Sequence, residues 1–211
     1  MPSYFTHSQV TLSLTKDMLI DAKTQILDYV DYDNFIECLK LSCIGPDSLI
    51  STSYDLFVYQ HVNKTRYFFE NMINIIKSKK LYNNPYVISF LYGQIAHYIV
   101  DVTTHPFIYY VTGGMPKNHL MDYHGLFENW LDDYVFTEIY KKSFSDIAAF
   151  YKKSFISDHS LNGFINELYF STFSGCKYGN RKLSTRFISD KYLSSISLVG
   201  ISKSLSQLTT M

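Results

Sequence analysis

Residues 86–105 read "YVISFLYGQIAHYIVDVTTH" and are followed at once by Pro106. Apolar side chains fall almost all the way round a helical wheel, which marks a central helix packed on every side. The spacing places that helix at 86–104, because the residue before a proline avoids the α region. Three costly polar groups nevertheless share one stripe of it. His97, Asp101 and His105 follow an i, i+4, i+8 pattern, and residues four apart leave a helix from the same face. Either they satisfy one another in a core network, or a cation sits among them.

Outward from this helix the periodicity stays helical, with little strand-like alternation. Upstream, helices are expected at 8–30, 34–44 and 60–79. "GPD" at 45–47 stops the second, polar "DSLISTSYD" at 47–55 makes a loop, and "NNP" at 83–85 separates the third from the central helix. Downstream, "TGGMPKN" at 112–118 is a loop and a fifth helix spans 119–141. Beyond Ser143, helical pieces alternate with turns such as "FSGCKYGN", and the last helix is expected at 184–207. No repeat or long linker divides the chain. The expectation is an all-α, multi-helix bundle, a single domain over 1–211, with residues 140–211 supplying packing helices.

At 211 residues the chain is long enough to bury a large core. Its 46% hydrophobic and 18% charged residues suit a globular protein rather than a disordered one. Formal net charge is zero and the pI is near 7.0, without the basic surplus that binding duplex nucleic acid requires. The three cysteines Cys38, Cys43 and Cys176 are odd in number and irregularly spaced, as expected of reduced thiols in an intracellular setting. "MPSYFTHSQV" lacks a basic flank before an apolar run, so no signal peptide is expected. No window reaches the ~18 unbroken apolar residues of a membrane span. A soluble, cytoplasmic protein is the expectation.

The fifth helix repeats the pattern of the central one. In "YHGLFENWLDD", His124 and Glu128 are again four apart, with Asp132 a further turn along. Taken singly, a histidine on an apolar helix reads as a hydrogen-bonded core residue, and a His–Glu pair as a surface contact. Two such helices together form a recurrent frame for a bimetal site in a bundle core. Imidazole and carboxylate donors without a thiolate cluster suit zinc or a neighbouring first-row ion. His119 and His159 lack such company and read as incidental.

Five stretches in order over about residues 1–135, "MPSYFTHSQV", "CIGPDS", "QHVNKTRYFFENM", "FLYGQIAHYIVDVTTHPFIYY" and "YHGLFENWLDDY", carry a family likeness. The chain resembles the zinc-dependent phospholipase C family, whose wider superfamily includes zinc-dependent single-strand nucleases. The resemblance implies a cluster of two or three zinc ions in a central cleft. One ion would be held by Asp47, His61, His97 and Asp101, and a second by His105, His124 and Glu128. A third would take His7 and share Asp101 as a bridge. The family's N-terminal tryptophan, which helps hold that third ion, has no counterpart before His7, since the only tryptophan is Trp130.

The resemblance further implies hydrolysis of a phosphodiester by metal-activated water, with Asp47 as orienting base as well as ligand. Paired ions of this kind sit about 3.5–4 Å apart and clamp the phosphate oxygens. A phospholipid substrate would bring the protein into transient contact with a membrane surface. The alternatives are a nuclease-like phosphoesterase on the same scaffold and a zinc-stabilised binding protein without turnover. Tyr54, Phe57 and Tyr59 lie between two ligand segments, where a quaternary ammonium would favour aromatic walls. Ordinary core packing is the preferred reading of these three.

Overall fold

The computed structural model describes residues 4–21, 32–49, 54–113, 121–142 and 158–174. Among these residues seven α-helices occur and no strand: α1 (Tyr4–Asp21), α2 (Tyr32–Ser42), α3 (Tyr54–Val58), α4 (Thr65–Ser78), α5 (Pro85–Thr112), α6 (Met121–Tyr134) and α7 (His159–Phe173). The expected all-α bundle is what the chain forms. His119, Cys176 and the helix expected at 184–207 lie outside the described residues.

α5 begins where "NNP" breaks the chain. Asn84 Oδ1 accepts the Tyr86 and Val87 amides, both at 3.0 Å, while Pro85 occupies the first helical position, where its missing N–H costs nothing. The far end differs from expectation, because α5 runs through Pro106 to Thr112. The interruption falls on the Val102 carbonyl one turn back, and Val102 is 52% exposed, so water can replace the lost bond. Gly113 then closes the helix in the left-handed region at φ 87°, its amide bonded to the Tyr109 carbonyl. Nor, among the described residues, is the helix packed on every side. Ile95, Ile99, Val102 and Tyr110 form an open flank, opposite the buried His97 and Asp101.

The buried side of α5 rests on α2 at unusually close range. A Cβ on Gly93 would strike the Ser42 hydroxyl and come within 2.7 Å of the Cys43 amide nitrogen. Hydroxyls stitch the two backbones together: Ser89 Oγ donates to the Phe35 carbonyl at 2.6 Å and Ser42 Oγ to the Ser89 carbonyl at 3.1 Å. Phe35, Leu39, Phe68, Met72, Val87, Phe90, Phe164 and Phe173 form the apolar core between α2, α4, α5 and α7. Each large side chain buried there contributes about 1.5–3 kcal/mol. Within the segment expected to pack as helices, α7 does so, capped by Asp158 Oδ1 on the Leu161 amide at 2.7 Å.

Other boundaries shift for identifiable reasons. The first helix starts at Tyr4 rather than at residue 8, and residues 22–31 lie outside the described set. Its start is held from afar, since the Thr6 amide donates to Asp132 Oδ1 at 3.0 Å and the Thr6 hydroxyl bonds the same oxygen. "GPD" turns as a 3-10 segment, Gly45–Leu49, and the loop expected at 47–55 gives way to α3 from Tyr54. The helix expected at 60–79 is a π turn, Tyr59–Asn63, followed by α4. The one expected at 119–141 is α6 followed by a second π turn, Val135–Ile139. No helix among the described residues is long and apolar enough to cross a membrane.

Candidate metal centre

Five imidazoles and three carboxylates converge on the inner face of α5, forming three donor sets, the first two sharing His97: His7, His97 and Asp101; Asp47, His61 and His97; His105, His124 and Glu128. All eight residues singled out by the sequence fall into these sets. α1 supplies His7, the 3-10 turn Asp47, the first π turn His61, α5 the central three, and α6 the last pair.

Asp101 sits at the crossing point. Its Oδ2 lies 3.4 Å from His61 Nε2 and 3.3 Å from His97 Nε2. Its Oδ1 faces the other way, 3.2 Å from His7 Nε2 and 3.8 Å from His105 Nδ1. Asp47 Oδ1 completes the inner set at 3.4 Å from His61 Nε2 and 3.8 Å from His97 Nε2. In the outer set His124 Nε2 lies 2.7 Å and His105 Nε2 3.9 Å from Glu128 Oε1.

Backbone carbonyls fix which ring nitrogens point inward. His97 Nδ1 meets the Cys43 carbonyl at 3.1 Å, His61 Nδ1 the Phe57 carbonyl at 3.2 Å, and His105 Nδ1 the Asp101 carbonyl at 2.8 Å. A carbonyl only accepts, so each Nδ1 carries a hydrogen, and in its neutral form each ring aims an Nε2 lone pair into the cluster. His61 Nε2 and His97 Nε2 then face each other at 3.3 Å. Two lone pairs at that distance repel unless a shared cation lies between them. Backbone carbonyls behind imidazoles are also the usual outer support of metal-bound histidine.

Further buried atoms lack hydrogen-bond partners among the described residues, including His7 Nδ1 and Asp47 Oδ1. A buried polar atom left in that state costs about 1–3 kcal/mol. This donor set therefore fits a divalent metal, and its imidazole and carboxylate chemistry fits zinc.

Burial, reinforced by neighbouring His97, pushes His7 down to about 4. Burial likewise takes His124 down to about 4 and lowers His105. Asp47 is lifted by burial to about 6 despite His97 and His61 beside it. For Asp101 burial opposes the charge, but the close imidazoles of His61, His7 and His97 win and hold the carboxyl below its ordinary range. For His97 burial also opposes the charge, and Asp47 and Asp101 outweigh it, raising the imidazole.

Not every acidic residue near the pattern belongs to the cluster. Asp132, one turn beyond Glu128, turns away and anchors the start of α1 through Thr6. Tyr109 was not singled out by spacing, yet its ring stacks on His124 with centroids 5.3 Å apart. Phe57 packs on His61 at 4.4 Å, with Tyr54 a further 5.6 Å from Phe57. Gly45 was noted only as part of a stop signal. Its φ is 59°, and a Cβ there would lie 2.5 Å from His97 Cγ.

A helical bundle that gathers imidazoles and carboxylates from five separate elements is a frame suited to holding metal. A family model for zinc dependent phospholipase C matches residues 5–179, and the chain belongs to that family. The match spans all eight candidate ligands and extends past the stretch of likeness at 1–135 to include α7. No curated protein and no solved structure matches the chain.

Proposed function

We propose that this chain is a zinc-dependent phosphodiesterase of the phospholipase C type, a single domain over 1–211 that releases the phosphorylated headgroup of a phospholipid. The observation that carries this reading is the facing pair of Nε2 atoms on His61 and His97, 3.3 Å apart, with both Nδ1 hydrogens committed to backbone carbonyls. Asp47, His61, His97 and Asp101 would hold one ion, and His105, His124 and Glu128 a second. His7 with Asp101 would complete a third. Zinc bound there supplies Lewis acidity toward the phosphate oxygens and toward water.

The chain's own residues do the rest. Asp101 turns one oxygen toward His61 and His97 and the other toward His7 and His105, tying the donor sets into one rigid unit. Asp47 Oδ1 is buried without a hydrogen bond and is the proton acceptor in this reading. Phe57 and Tyr54 form an aromatic flank beside His61 suited to a cationic headgroup. Phe107, Phe127, Trp130 and Tyr134 make a row with centroid spacings of 6.0, 5.5 and 5.7 Å. Phe107, Trp130 and Tyr134 are exposed on the helices that carry His105 and His124, which supports transient contact with a lipid surface.

Elemental analysis of the purified protein, followed by parallel assays on a water-soluble phosphocholine ester and on single-stranded DNA, tests the reading. Two or three zinc ions per chain with ester hydrolysis abolished by chelation is the expected result. Preferential cleavage of DNA would reassign the site to a nuclease. Bound zinc with no hydrolysis of either substrate, and a large drop in melting temperature on chelation, would make the metal structural.

A further inference from the structure

The π turn that carries His61 is held by a chain of buried hydrogen bonds reaching the C-terminal helix. Tyr169 on α7 donates its hydroxyl to Gln60 Oε1 at 2.7 Å. Gln60 Nε2 donates to Gln94 Oε1 at 2.8 Å, and Gln94 Nε2 donates to the Ser42 carbonyl at 3.0 Å. Tyr169, Gln60 and Gln94 are 2%, 3% and 4% exposed, so water does not compete for these bonds. Every donor points the same way along the chain and each amide is used without conflict, the arrangement in which buried polar networks rigidify a structure.

The relay passes directly behind one candidate zinc ligand and ends next to the residue whose carbonyl supports another. Gln60 directly precedes His61, and the Thr65 hydroxyl donates to the Gln60 carbonyl at 2.5 Å, closing the π turn from below. Ser42 directly precedes Cys43, whose carbonyl receives His97 Nδ1 at 3.1 Å. The relay therefore spans the backbones behind the two imidazoles whose Nε2 atoms face each other. A π turn inserts one residue into helical register and is an uncommon, costly local choice. Here it lets Gln60 reach inward to α5 and α7 while His61 reaches the cluster.

We infer that Gln60, Gln94 and Tyr169 are positioning residues that set the separation of His61 and His97. On this basis α7 is part of the support of the metal centre rather than packing alone. This rests on the zinc-dependent reading above, and the test separates the two.

The probe is the protein in wild-type, Tyr169→Phe and Phe164→Leu forms. Tyr169→Phe keeps the ring packing and removes only the hydroxyl, leaving Gln60 Oε1 without its donor. Phe164→Leu disturbs α7 packing against Phe90 and removes no donor or acceptor of the relay. Each is measured for zinc affinity by chelator competition, for the visible spectrum of the cobalt(II)-substituted form, and for melting temperature without metal.

Tyr169→Phe is expected to weaken zinc binding about tenfold, as outer support of a ligand does, and to shift the cobalt spectrum. Phe164→Leu should lower the metal-free melting temperature while leaving affinity and spectrum at wild-type values. If Tyr169→Phe lowers only the melting temperature, as Phe164→Leu does, the relay is structural and the inference is wrong. If the wild-type protein itself binds no zinc, the proposed function falls and this inference falls with it. Wild-type zinc binding that survives Tyr169→Phe unchanged removes the inference alone.

Discussion

At Gly45 a single hydrogen atom in place of a methyl group lets His97 into the cluster. The residue has φ 59°, and a Cβ would sit 2.5 Å from the His97 ring, a distance no relaxed contact adopts. Gly45→Ala should therefore destabilise the protein by about 1–3 kcal/mol in urea unfolding, and should weaken zinc binding by more than tenfold as His97 is displaced. Equal zinc affinity in the variant would mean that the ring can move without consequence. The titrating residues carry a second prediction. His7 is depressed from 6.5 to about 4, so between those values the unfolded chain binds the extra proton and the folded one does not. Its contribution is full above about 6.5 and is lost as pH falls toward 4. Asp47, raised from 3.8 to about 6, has the opposite sign: its contribution is present below 3.8 and lost as pH rises through 6. Metal-free His7→Asn should thus show a shallower rise of stability with pH between 4 and 6.5 than the wild type, as read by urea unfolding at several pH values.

At the scale of elements, the strap from α6 to α1 matters most to the site. Asp132 receives both the amide and the hydroxyl of Thr6, taking up a donor that the first turn of a helix cannot satisfy internally. Asp132→Ala should cost about 1–3 kcal/mol and should loosen His7, one residue beyond Thr6, while the His124–Glu128 pair stays in place. Retention of the fraction of zinc bound through His105, His124 and Glu128, with loss of the ion that uses His7, is the pattern to seek by metal titration. The elements themselves were unevenly legible. Asn84 and Pro85 announce the start of α5 because cap and first-turn chemistry are local. The two π turns were not legible, since one inserted residue hardly alters an apolar period. Pro106 misled for a related reason: the cost of a helical proline depends on whether water reaches the carbonyl behind it, and sequence does not state that Val102 is open.

Across the whole molecule, the eight candidate ligands were readable because each donor type recurs at fixed spacing on α5 and α6, or lies in a short family motif such as "GPD". What was hidden is everything that depends on long-range contact. Nothing about Tyr169, Gln60 or Gln94 in isolation signals a relay, because the bonds join α7, a π turn and α5 only once the bundle has formed. The open flank of α5 was hidden for the same reason: an apolar wheel says what a helix can bury, and its neighbours decide what it does bury.

The Thr6–Asp132 strap has a consequence in time as well as in space. Its partners are separated by 126 positions in the chain, so no growing polypeptide can close it until α6 has left the ribosome. His7 is the earliest candidate ligand to be synthesised and among the last to be locked in place. During synthesis, which proceeds at about 5–20 residues per second, α1 must wait roughly 6–25 s for its anchor. Assembly of the full candidate donor set is accordingly late, and metal reaching the chain before α6 emerges could meet only part of it.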